Sequence, residues 1–73
     1  MKSLSDLAVG ERAVVSALHG QGGVGARLLE MGLIPGTSVE LIGRAPLGDP
    51  LEFRLRGFLL SLRKSEAALV EIR

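Results

Sequence analysis

Leu51-Glu52-Phe53-Arg54-Leu55-Arg56 alternates apolar and charged side chains at every step. Successive side chains of a strand point to opposite faces, so Leu51, Phe53 and Leu55 share one face and Glu52, Arg54 and Arg56 the other. Gly57 breaks the strand, and Phe58-Leu59-Leu60-Ser61-Leu62-Arg63 reads as the next one, apolar on both faces over part of its length. On the upstream side, Val39 and Leu41 share a face while Glu40 takes the other. Ala45-Pro46-Leu47-Gly48-Asp49-Pro50 between them has the turn chemistry of a hairpin loop. The second half of the chain is therefore a succession of antiparallel hairpins.

Working outward, residues 11–18 are rich in β-branched side chains and alternate loosely, which predicts a first strand. His19-Gly20-Gln21-Gly22-Gly23-Val24-Gly25 forms a glycine-rich loop, and the spacing predicts a short helix over 24–31. Val24, Leu28 and Met31 then make one apolar stripe. Gly32 stands where a left-handed residue ends a helix, and Pro35-Gly36 fits the centre of a type II turn. At the start, Ser3 or Ser5 caps a single turn holding Leu4 and Leu7, with Gly10 ending it. Near the end, residues 64–68 read as one helical turn and 69–72 as a closing strand. The fold class is mainly β: a small, strongly curved antiparallel barrel of about five strands with one short inserted helix. Residues 1–73 form a single domain. Closure of the barrel is expected, because it removes strand edges that would pair with other molecules.

Composition narrows the function. With 73 residues there is no room for a second core, and a full dinucleotide-binding domain or a TIM barrel is excluded. Stability on the order of 4–11 kcal/mol follows from the chain length. Two Phe and no Trp or Tyr leave an aliphatic core. Nine Lys and Arg against eight Asp and Glu give a net charge of +1, too weak a field for a dedicated nucleic-acid binder. The absence of Cys excludes disulfides and thiolate metal sites. No run approaches the ~18–20 apolar residues that span a bilayer, and the N-terminus lacks the apolar stretch of a signal peptide. A cytoplasmic protein without direct membrane insertion is expected.

Gly20-x-Gly22-x-x-Gly25 matches the dinucleotide fingerprint, and Glu40 stands twenty residues after Gly20. That fingerprint works where a parallel sheet aims a helix N-terminus at a pyrophosphate. Here one short helix is followed by antiparallel hairpins, and Glu40 lies in mid-strand, so no bound cofactor is expected. His19, the lone histidine, has no acid–base partner in its sequence surroundings and reads as a solvated loop residue. No metal-ligand spacing, nucleophile elbow or phosphate-binding GKS or GKT sequence is present, and no catalytic role is assigned. Arg54, Arg56, Arg63 and Lys64 read as a polar outer face, or as a basic patch for an acidic partner.

Arg27-Leu28-Leu29-Glu30-Met31-Gly32-Leu33-Ile34-Pro35-Gly36, followed by Val39-Glu40-Leu41-Ile42 and Ala45-Pro46-Leu47-Gly48-Asp49-Pro50, resembles the FeoA family of ferrous iron transport proteins. The opening Leu4-x-Asp6-Leu7-x-x-Gly10-Glu11 and the closing Leu62-Arg63-Lys64-Ser65-Glu66-Ala67 extend the resemblance over essentially the whole chain. It implies an SH3-like barrel and a small accessory protein of bacterial ferrous iron uptake. It also implies a partner, FeoB, a membrane permease with a cytosolic GTP-binding domain, through which the protein would reach the inner membrane. The alternative is a transition-metal-binding or metal-sensing regulatory module related to the SH3-like domain of metal-dependent repressors. For a docking face the loops offer apolar Leu33, Ile34 and Leu47 beside Arg54 and Arg56; these five are the expected partner interface.

Overall fold

The computed structural model describes residues 2–20 and 22–73; Gln21 of the glycine-rich loop and Met1 lie outside the described residues. The elements run β1 (Arg12–Leu18), α1 (Val24–Glu30), β2 (Ser38–Arg44), β3 (Leu51–Leu55), β4 (Phe58–Leu62), α2 (Lys64–Ala67) and β5 (Val70–Ile72). A 3-10 turn at Leu4–Asp6 precedes them. The elements given bounds from the sequence match to within about a residue at either end, β2 extends past the expected Val39–Leu41 to Arg44, and the opening turn ends at Leu7 well before Gly10.

The alternation over 51–55 has the predicted outcome. Leu51, Phe53 and Leu55 are buried, while Glu52 and Arg54 are exposed. Together with Leu4, Leu7, Leu28, Leu33, Val39, Leu41, Leu62, Val70 and Ile72 they form one aliphatic core around Phe53. The β3–β4 connection is the two-residue turn Arg56-Gly57, with φ of 49° and 83°. Positive φ at both positions is the type I′ geometry whose twist matches the flanking strands.

The C-terminus of α1 is closed by glycine in the way the sequence suggests. Gly32 has φ of 98° and donates its N–H to the Leu29 carbonyl at 2.9 Å, while the Leu33 N–H reaches the Leu28 carbonyl at 3.2 Å. This paired closure folds the chain back, so that the residue after the glycine packs against the last helical turn. Leu33 and Leu28 are accordingly both buried. The Ile34-Pro35-Gly36-Thr37 turn then closes with the Thr37 N–H on the Ile34 carbonyl at 3.0 Å. It is stitched to β1 by the Gly36 N–H on the Val15 carbonyl and the Val15 N–H on the Thr37 carbonyl.

All strand pairs are antiparallel, in the order β4-β3-β2-β1-β5. The expected closure is corrected here: β4 and β5 are the two edges of an open sheet, and the ladder does not join them. The antiparallel pairing also removes the setting a dinucleotide fingerprint needs. Gly20 packs directly on Gly25, where a Cβ would lie 2.4 Å from the Gly25 nitrogen. Glycine at position 20 therefore serves the close approach of two backbone segments.

Candidate functional site

The outer face of β1, β2 and β3 carries a row of charges assembled by strand register. Arg12 lies opposite Glu40, and Glu40 lies opposite Arg54. The Glu40 Oε1 stands 3.7 Å from Arg12 Nε and 3.9 Å from Arg54 Nη1, between two guanidiniums. Contacts this long on exposed arginines add little to stability. They do hold the two arginines over one depression of about 210 Å³, lined by Arg12, Ser38, Glu40, Arg54, Leu55, Arg56 and Gly57.

Arg56 is placed differently. It occupies the type I′ turn, and its Nη2 donates to the Thr37 Oγ1 at 3.1 Å. Thr37 is buried, so this bond anchors the guanidinium at the mouth of the groove. Three guanidiniums against one carboxylate leave the groove with a formal excess of two positive charges. Its natural complement is a carboxylate-bearing surface.

The five residues expected as one interface do not form one face. Leu33 is fully buried and belongs to the core, because the glycine closure of α1 turns it inward against Leu28. Leu47 is 97% exposed, yet it sits in the loop between β2 and β3. Arg56 lies at the other end of β3, across about 17 Å of extended chain. Ile34 is partly exposed and stays near Arg56, through the Ile34 carbonyl–Thr37 bond and the Thr37 hydroxyl. Arg54 and Arg56 thus share the lining of one groove, Ile34 lies in the turn that ends at Thr37, to which Arg56 donates, and Leu47 stands apart. Arg12 and Glu40 were missed: in the sequence each is an ordinary strand charge, and register alone brings them to Arg54.

His19 is not simply a solvated loop residue. Its Nε2 lies 2.6 Å from the Glu71 Oε1, joining the end of β1 to β5. Among the described residues no three His, Cys, Asp or Glu side chains gather as a metal-binding group. Arg27 of α1 is paired with Glu66 of α2, whose other oxygen accepts the Arg63 N–H at 2.8 Å.

An open five-stranded antiparallel sheet with a helix after the first strand and a second short helix before the last, carrying a basic groove on its outer face, defines a small SH3-like β-module. The solved structures that superpose on it agree. A FeoA-like protein from Clostridium acetobutylicum is 35% identical with a TM-score of 0.90, over 97% of this chain and 83% of that one. A zinc-complexed FeoA from Stenotrophomonas maltophilia, described as an SH3-domain protein, is 28% identical with a TM-score of 0.89, over 100% of this chain and 91% of that one. The FeoA domain profile matches residues 2–73. The chain belongs to the FeoA family, a family of ferrous iron transport. A curated relative from Porphyromonas gingivalis, an Fe(2+) transport protein A/Fe(2+) transporter FeoB fusion protein, is 38% identical over 69 residues, 94% of this chain. The chain spans 8% of that relative's length. A manganese-dependent transcriptional repressor shares the fold, with a TM-score of 0.85 at 10% identity; at that identity the likeness concerns the fold alone.

Proposed function

We propose that this protein is a non-catalytic accessory module of ferrous iron uptake that acts by docking on the cytosolic part of a FeoB-type permease. The observation that carries this reading is the fused relative, in which a similar module shares one polypeptide with a FeoB transporter. Covalent fusion supplies a high effective concentration of one part for the other, which is useful where the two associate. The groove of Arg12, Arg54 and Arg56 is the docking site, and an acidic surface of the permease domain is its complement. If docking alters GTP turnover, the module must bind two states of that domain with different affinity, since equal affinity shifts nothing.

The test is calorimetry of this chain against the isolated cytosolic GTP-binding domain of the permease from the same organism. Arg12→Glu with Arg54→Glu reverses the groove's charge on two exposed side chains and leaves the core untouched. The double variant is expected to bind about tenfold or more weakly, with the difference shrinking in high salt. Equal affinity in the variant would remove the groove from the interface. No binding by the unaltered chain would overturn the permease reading itself.

A further inference from the structure

The two edges of the sheet are treated very differently by the chain. β5 is three residues long and is covered: Ser3 bridges Glu71, the Ile72 N–H donates to the Lys2 carbonyl at 2.9 Å, and the strand carries the charged Glu71 with Arg73 directly after it. β4, at the other edge, is Phe58-Leu59-Leu60-Ser61-Leu62, with no charge and no proline. Proteins ordinarily blunt an exposed edge with short length, charge, proline or a covering segment. β4 has none of these within its five residues.

Hairpin geometry shows which groups are unpaired. The type I′ turn makes Leu55–Phe58 the hydrogen-bonded pair that closes the loop. Pairs then alternate along an antiparallel ladder, so Phe58, Leu60 and Leu62 direct their N–H and C=O groups at β3. Leu59 and Ser61 direct theirs outward. No described backbone hydrogen bond outside the ladder reaches either residue. Phe58 is 44% and Leu59 56% exposed, so the outward peptide groups are bordered by apolar surface.

We infer that the outer edge of β4 is a strand-addition site, which takes an extended, mainly apolar segment of another protein with carboxylates near its ends. Backbone bonding to Leu59 and Ser61 supplies affinity, and Phe58 and Leu59 supply apolar contact. Charge selects the occupant. The neutral strand is bracketed by Arg56 before it and by Arg63 and Lys64 after it. The carboxylates near its far end are already engaged, Asp49 with the Lys64 N–H and Glu66 with Arg27 and the Arg63 N–H. On the outer face, Arg54 stands opposite Leu59 and Glu52 opposite Ser61. A second copy paired antiparallel would bring Arg56 of each chain toward Arg63 and Lys64 of the other, cation against cation. A segment ending in carboxylates meets the same groups favourably. The site adjoins the basic groove through Arg54 and Arg56, and it rests on the reading that the partner is the permease's cytosolic domain.

Leu59→Pro tests it. The Leu59 N–H points away from β3, so proline removes an outward donor without taking a bond from the hairpin. Leu59→Ser keeps that N–H and changes only the side chain. With the permease domain as probe, Leu59→Pro is expected to weaken binding about tenfold or more, and Leu59→Ser by only about twofold to threefold. In the unaltered chain, the Leu59 and Ser61 amides should exchange with deuterium more slowly on adding the domain; this reading holds even if Leu59→Pro fails to fold. Undiminished binding by folded Leu59→Pro, or unchanged exchange at both amides in a formed complex, overturns the edge site and leaves the permease reading standing. No complex with the unaltered chain overturns both. A concentration-dependent dimer of this chain, abolished by Leu59→Pro and displaced by no permease domain, would give the edge to a second copy and overturn the inference.

Discussion

β4 and β5 end the same sheet, and the contrast between them separates what folds the molecule from what it offers outside. Val70 and Ile72 of β5 are buried, and residues 2 and 3 lie along its outer side, so that edge is part of the core's wall. In β4 Leu62 is fully buried and Leu60 partly, whereas Phe58 and Leu59 remain 44% and 56% exposed. An edge that the chain covers with its own N-terminus contributes stability. An edge left apolar and bare contributes little and is available to something else. Among the described residues, a covering segment lies along the β5 edge alone.

Truncations on the two sides should therefore diverge. Ile72→Ala, at the covered edge, is expected to lower unfolding free energy by about 2–5 kcal/mol. That is a large share of the total for a chain of this size, and urea denaturation would read it directly. Asp6→Ala attacks the covering segment more gently. The Asp6 Oδ2 accepts the Ser3 N–H at 2.8 Å and holds the turn that leads Ser3 onto Glu71. Its loss is expected to cost about 0.5–1 kcal/mol and to speed amide exchange at Ile72, whose N–H bonds the Lys2 carbonyl. Leu59→Lys, at the bare edge, should change stability by no more than about 0.5 kcal/mol. It should also weaken binding of the permease domain, measured by calorimetry, because lysine on an edge opposes strand pairing. A large loss of stability in Leu59→Lys would break the comparison, since it would make β4's outer surface part of the fold.

Much of the architecture was legible because it is written in local chemistry. The alternation at 51–56 determined a half-buried strand, Gly57 marked its end, and Gly32 marks the end of α1. The candidate site was legible only in fragments. Arg54 and Arg56 were visible as outer-face charges. Arg12 and Glu40 carry no local mark, because their meeting depends on the register of strands distant in sequence. Leu33 misled for a related reason. As a loop leucine beside Ile34 it resembles surface, but the hydrogen bonds from Gly32 and Leu33 turn it into the core. Phe58 and Leu59 did carry a signal, a strand apolar on both faces; what it meant depended on whether the sheet closed.

By itself the sequence determined a five-stranded aliphatic β-module of the FeoA family, since side-chain period, turn residues and family motifs act over a few positions. The tertiary structure alone decided that the sheet stays open, which edge is covered, and that three arginines share one groove. Those outcomes depend on where segments far apart in the chain come to lie, and a pattern repeating every two residues holds no information about its neighbour across the ladder.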